Sequence, residues 1–202
     1  MSRRPNIFEK ISRRFEIFLE KIHGLDFKTV IPSEDLGFDK NLVVQCSPSG
    51  GDFLKKILKD IKISNYDSIL DIGCGKGSAI KTMMEFSFNQ ITGIEISSHL
   101  CSVAKKNFKI LKSKNINIIN INAENYMNYS NFNYFYMYNP FPNSIMIRVI
   151  KNILNQTPKN KTINILYNNP VCISTILENG FKEIKKYDDQ WGNGIILFRK
   201  TI

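Results

Sequence analysis

The sequence predicts an α/β fold: a seven-stranded, mostly parallel sheet covered by helices on both faces, with an antiparallel hairpin at one edge and a helical extension at the N-terminus. Three observations lead there. From residue 66 onward, short apolar runs alternate with helix-length amphipathic segments, the pattern of parallel strands buried on both faces. The last two apolar runs have no helix between them, as an antiparallel pair allows. A glycine-rich stretch, Gly73-Cys74-Gly75-Lys76-Gly77, stands where the first strand hands over to the first helix. With 202 residues, 43% of them hydrophobic, the chain is long and apolar enough for one domain plus an extension.

Residues 6–23 read as an amphipathic helix, because Ile7, Ile11, Phe15, Phe18, Leu19 and Ile22 recur at three- and four-residue intervals and Gly24 is placed to end it. The expectation is a helix packed on the main domain; the alternative is a basic helix lying on a membrane surface. Residues 25–48 are loop-like, punctuated by Pro32, Gly37 and Pro48. Ser49-Gly50-Gly51-Asp52 leads into a helix whose Phe53, Ile57, Leu58 and Ile61 share a face. Strands follow at 66–72, 90–96, 116–121, 132–138 and 162–167, with helices at 78–87, 98–113, 143–155 and 171–178. Phe181–Tyr187 and Ile195–Arg199 form the final strands, with Asn193-Gly194 as a turn signal. The division implied is an N-terminal helical extension and possible lid over 1–48, and one domain over 49–202.

Composition narrows the function. The longest apolar runs fall short of the ~20 residues of a membrane span, and charges interrupt every apolar pair of MSRRPNIFEKISRRF, unlike a secretory signal. The expected location is the cytoplasm. Cys46, Cys74, Cys101 and Cys172 are scattered without a CxxC pair, and His23 and His99 lie far apart. This argues against a zinc site, a disulfide framework or a Ser-His-Asp triad. The net charge of +10 fits a lysine-biased surface, or attraction to nucleic acid. The lysines are spread (Lys55, Lys56, Lys59 and Lys62; Lys105 to Lys114; Lys182, Lys185 and Lys186), so nucleic acid is a possible partner that charge alone does not favour.

The glycine stretch carries the chemistry. Glycines at a strand-to-helix turn permit positive φ and let the backbone approach a ligand closely. A dinucleotide fingerprint reads GxGxxG; here the spacing is GxGxG and Ser78 holds the sixth place. That spacing points away from NAD and toward a nucleoside without a pyrophosphate. Asp71 just ahead suits an ammonium group rather than phosphates. Glu95 ends the second strand about 20 residues on, where a carboxylate accepts hydrogen bonds from ribose hydroxyls.

ILDIGCGKG, GIEIS and INAEN together resemble the class I S-adenosylmethionine-dependent methyltransferases, over about residues 45–202. The resemblance implies a Rossmann-like fold with seven strands, the last antiparallel, and S-adenosyl-L-methionine as cofactor. By the same resemblance Gly73, Cys74, Gly75 and Gly77 approach the methionine and ribose, and Asp71 fixes the loop or holds the amino group, directly or through water. Glu95 takes the ribose hydroxyls, Ile96 beside it is also cofactor-binding, and Asn122 and Ala123 meet the adenine. Asn122 departs from the usual aspartate, and Glu124 is a possible substitute.

Tyr138-Asn139-Pro140-Phe141-Pro142 follows the fourth strand, at the carboxyl edge where such sheets bind ligands. It resembles the NPP-aromatic motif of amino-group methyltransferases, with Phe141 in place of the second proline. That implies Asn139, Pro140 and Phe141 as catalytic, Asn139 also facing the sulfonium methyl; a proline turn ending a buried strand is the plainer alternative. Glu34–Phe38, Ser47-Pro48-Ser49 and Tyr167–Pro170 extend the likeness to small bacterial methyltransferases with a YNPF motif and an unassigned acceptor. Ser47 or Ser49 either contacts the cofactor's carboxylate or caps a helix. Asn169 is expected in the acceptor pocket, and Trp191 to be structural. The activity expected is methylation of an amine nitrogen on a small molecule or protein; the alternatives are RNA methylation and non-catalytic nucleoside binding. The sequence names neither the acceptor nor an oligomeric state.

Overall fold

Five residues in a row, Ser68–Ile72, three of them aliphatic and all buried, place this strand in the middle of a sheet covered on both faces. This strand, β1, is flanked by β2 (Gln90–Glu95) and β4 (Tyr134–Tyr138), both parallel to it. With β3 (Ile116–Asn120), β5 (Thr162–Asn168), β6 (Lys182–Tyr187) and β7 (Ile195–Thr201), the sheet runs β3-β2-β1-β4-β5-β7-β6. Strand β7 inserts between β5 and β6, antiparallel to both. The final hairpin thus sits at one edge, with lysine-rich, exposed β6 outermost, a composition that discourages edge-to-edge pairing. The computed structural model describes residues 6–32, 47–189 and 194–202. Glu34–Phe38, Cys46, Trp191 and Asn193 of the sequence reading lie outside these.

Helices α2 (Asp52–Asp60), α3 (Ser78–Met83) and α4 (Ser98–Ile110) cover one face, where Ile57, Leu58, Ile80 and Ala104 meet Ile69 and Tyr136. Helices α5 (Asn143–Gln156) and α6 (Ile173–Glu178) cover the other, where Met146, Val149, Ile150 and Ile176 meet Leu70, Phe135 and Ile165. The buried face of α2 is Leu54, Ile57 and Leu58, with Phe53 and Ile61 half-buried at its margin. Helix α3 is shorter than its pattern predicts, because Glu85 and Phe86 donate to the carbonyls three residues back and tighten the last turn. Helix α6 starts two residues late: the Cys172 N–H is taken by the Tyr167 hydroxyl.

The N-terminal helix α1 (Ile7–Ile22) begins with a capping box between Asn6 and Glu9. Gly24 follows its end at φ +71°. The expectation that its apolar face packs on the domain is wrong. Ile7, Phe8, Ile11, Phe15, Phe18 and Ile22 expose 57–78% of their surface, whereas Glu20 is buried. The polar side faces inward because Glu20 Oε2 accepts from the N–H groups of Phe27 (2.9 Å) and Lys28 (3.0 Å). Phe27 in turn is wedged edge-on against Phe108 and under the Lys81 ammonium.

Candidate active site

The glycine loop is stapled to β2: the N–H groups of Gly73 and Cys74 both donate to the Ile94 carbonyl, at 2.9 and 3.1 Å. Gly73 has φ +78°, and a Cβ there would come within 2.8 Å of the Pro140 ring. Only glycine allows the loop to turn while the Asn139-Pro140 segment lies directly on it. The Gly75 N–H donates to Glu95 Oε2 (3.0 Å), and the Ser97 N–H to Glu95 Oε1 (2.9 Å). Glu95 therefore braces the loop as well as standing at the end of β2, and its carboxylate retains lone pairs for further donors.

Two carboxyl groups sit close together here, both buried. Burial pushes Asp71 up to about 8, and the charge of Glu95 pushes the same way. Burial also raises Glu95, opposed by the backbone N–H donors of Ser97 and Gly75. No hydrogen bond among the described residues engages the Asp71 carboxylate.

A cleft of about 1040 Å³, including the solvent at its mouth, opens above the carboxyl ends of β1, β2 and β4. Gly73, Cys74, Gly75, Glu95, Ile96, Asn122 and Ala123 line it on the side expected to hold cofactor. Asn139, Phe141 and Pro140, which packs on Gly73, line it too, as do Ser47 and Ser49. Asp71, Gly77 and Asn169 are not in its wall. Asp71 lies beneath the loop, Gly77 starts α3 with the Phe108 ring against it, and Asn169 donates its N–H to the Gly194 carbonyl. Neither serine caps α2, whose N-cap is Gly51. The Asn122 Oδ1 accepts from the Glu124 N–H at 2.9 Å, and Glu124 pairs with Arg148. Asn139 adopts φ +39°, and no hydrogen bond among the described residues engages its carboxamide. Phe141 is buried in the core below, so the half-buried aromatic ring in the wall is that of Tyr138.

Several supports escaped the sequence reading. The buried Tyr136 hydroxyl donates to the Ser49 carbonyl (3.0 Å) and accepts from Asn168 Nδ2 (2.9 Å). The Gly51 N–H donates to Thr82 Oγ1 (2.8 Å). Together these hold residues 47–51 over the cleft. Lys76, a charged residue inside the glycine stretch, is buried; its ammonium bonds Asp26 Oδ1 at 2.5 Å and the Thr29 hydroxyl. Burial works against the Asp26 charge, but the Lys76 and Thr29 hydrogen bonds outweigh it and lower its pKa. Asn107 ties the Asp26 and Lys76 carbonyls together. The strap after α1 is thereby fastened to the glycine loop, and its Phe27 forms part of the cleft wall. An internal charge in a glycine loop was the available signal for Lys76; nothing local marked Phe27.

Bare glycine backbone, a carboxylate at the end of β2 and a buried acid under the loop suit a nucleoside bearing an ammonium group. Residues 51–181 match the family described as ribosomal RNA adenine dimethylase. The chain belongs to that family. It is a methyltransferase that uses S-adenosylmethionine. Its fold is shared with solved structures at low identity. An S-adenosylmethionine-dependent methyltransferase from Aquifex aeolicus is 10% identical with a TM-score of 0.59, over 72% of this chain and 88% of that one. The ribosomal protein L11 methylase from Lactobacillus delbrueckii subsp. bulgaricus is 14% identical at 0.59, over 81% and 83%. An RNA methyltransferase from Salinibacter ruber, solved with S-adenosyl-L-homocysteine, is 15% identical at 0.58, over 77% and 93%. No curated protein matches the sequence. Among the described residues, no helix is long and apolar enough to cross a membrane.

Proposed function

We propose that this methyltransferase acts on the exocyclic amino group of an adenine in RNA. The observation that carries the reading is the Asn139 carboxamide, in the cleft wall without a hydrogen bond among the described residues, on a segment seated against Gly73. A carboxamide oxygen there accepts a hydrogen bond from an amino nitrogen and turns its lone pair toward the cofactor side. The amine acceptor expected from the sequence is kept, but moves from a small molecule or protein to a nucleobase. The family description and the net charge of +10 support that move.

S-adenosylmethionine supplies an electrophilic methyl on a sulfonium, and the protein's part is position and orientation. Glu95 holds the ribose hydroxyls, while Gly73, Cys74, Gly75 and Ile96 pack along the cofactor. Asn122 and Ala123 meet its adenine, and Asp71 acts through the loop or a water. Pro140 and Phe141 fix Asn139, and Tyr138 offers its ring to a target base turned out of its stack. Residues 49–202 are the catalytic domain and 1–48 an extension, from which Phe27 reaches the cleft wall.

The test is transfer of labelled methyl groups to an unmodified ribosomal RNA transcript, followed by digestion to nucleosides. Label in adenosine methylated on its amino group is expected. Asn139→Ala should lower the rate by about 100-fold, the scale of a misoriented reacting group, while S-adenosylhomocysteine affinity stays within a few-fold by calorimetry. Label on a protein or a small amine, or unchanged transfer by Asn139→Ala, overturns the reading.

A further inference from the structure

Helix α1 is attached the wrong way round for a helix that belongs to the core. On a helical projection Ile7, Phe8, Ile11, Phe15, Phe18, Leu19 and Ile22 fall within an arc of about 120°. All seven are exposed. The opposite side faces the domain, through buried Glu20 and half-buried Ile17. Arg14 and Lys21 border the apolar arc on one side, with Lys10 just beyond. On that flank a shallow groove runs between α1 and residues 28–30, walled by Lys10, Arg13, Arg14 and Lys28. The helix is well formed by itself, with its capping box and with Lys21 in the last turn.

We infer that α1 is a membrane-surface anchor: its outward apolar stripe docks this methyltransferase on an anionic phospholipid bilayer. An apolar arc with cations along its edge is what lies in the plane of a bilayer, the hydrocarbon side chains entering the acyl boundary and the cations reaching phosphate. The charge complementarity decides against a second copy. Antiparallel pairing across the stripe would set Arg14 and Lys21 against the same residues of the partner, and in a parallel pair they would meet uncharged Ser12 and a Glu16 already paired with Lys28. Nucleic acid would use the cations but gains nothing from a row of isoleucines; base stacking needs ring faces. The inference does not depend on which acceptor receives the methyl group.

Vesicle co-sedimentation of the full chain tests it, with phosphatidylcholine vesicles and vesicles in which phosphatidylglycerol replaces a third of the lipid. Binding to the anionic vesicles is expected to be about tenfold or more tighter than to the zwitterionic ones. The Phe15→Ser, Phe18→Ser double variant should lose about tenfold or more of that affinity. Arg14→Glu with Lys21→Glu should abolish the preference for anionic lipid. Because these side chains are exposed, the melting curve and S-adenosylhomocysteine affinity should not change, which separates lost docking from lost folding. No vesicle binding by the wild type at low ionic strength overturns the proposal. So does vesicle binding that the phenylalanine variant leaves intact. A dimer in sedimentation equilibrium, or RNA retention, that the same variant abolishes would assign the stripe to a second copy or to nucleic acid instead.

Discussion

Helices α1 and α5 carry the same message in sequence and meet opposite fates. Both repeat large apolar residues every three or four positions. In α5, Ile145, Met146, Val149, Ile150 and Ile153 lie against the sheet. In α1 the equivalent stripe points to solvent, and the helix is held from its polar side, by buried Glu20 and by the Glu16–Lys28 ion pair. Periodicity establishes that a helix has an apolar face. What covers that face depends on the rest of the chain: α5 leaves a strand and re-enters the next one, so it must lie on the sheet, while α1 is joined by a strap and is free to present its stripe elsewhere.

The widest gap between the two helices should appear on truncation. Ile150→Ala removes buried methyl groups from a fully enclosed site and should destabilise by about 2–5 kcal/mol. Phe15→Ala, a larger deletion on an exposed stripe, should change stability by about 0.5 kcal/mol or less. Urea denaturation of the two variants measures both. Comparable losses would mean that α1 is covered within the folded monomer, and the contrast would collapse.

The same physics explains what was legible beforehand. Strands β1, β4 and β5 are near-continuous apolar runs because both faces are covered, and they read clearly. The glycine loop and Glu95 read together because a bare turn and a strand-end acid stand a fixed distance apart in such sheets, and the structure brings both to the cleft. Element ends were misplaced where a side chain intervened, as where Tyr167 takes the Cys172 N–H. The long-range supports were out of reach. Lys76 finds Asp26 across 50 residues and Tyr136 finds Ser49 across 87, and no local pattern encodes such a pairing. The same limit hid the outward turn of α1, since Glu20 meets the N–H groups of Phe27 and Lys28 beyond the end of the helix.

A sharper version of the comparison removes that acid. Glu20→Ala deletes the acceptor for the Phe27 and Lys28 N–H groups, and hydrogen bonds to a charged group contribute about 1.5–3 kcal/mol. The loss should be local. Amide exchange should accelerate through α1 and residues 24–28, with α5 unchanged, because few contacts besides the strap transmit it. Glu20→Gln keeps one acceptor oxygen and should recover part of the protection. Acceleration in α5 equal to that in α1 would show the two helices to be one cooperative unit.

Asp71 is the counterpart of Glu20 inside the domain, a buried carboxylate without the backbone donors that hold Glu20. Its pKa, pushed by burial and by Glu95 to about 8, lies above the ordinary 3.8, so between these values the folded chain holds a proton that the unfolded chain has released. Folding stability contributed at Asp71 is therefore greatest at acid pH and falls as pH rises, by about 1.4 kcal/mol for each unit in that window. Asp71→Asn cannot lose that proton. Without cofactor, the variant should gain about 1.4 kcal/mol on wild type between pH 6 and pH 7, measured by paired denaturation curves. Its affinity for S-adenosylmethionine should fall most above about pH 8, where the wild-type carboxyl is ionised and an amide offers no charge to an ammonium group. Parallel pH profiles for the two proteins would mean that Asp71 is already ionised and finds a cation at its side.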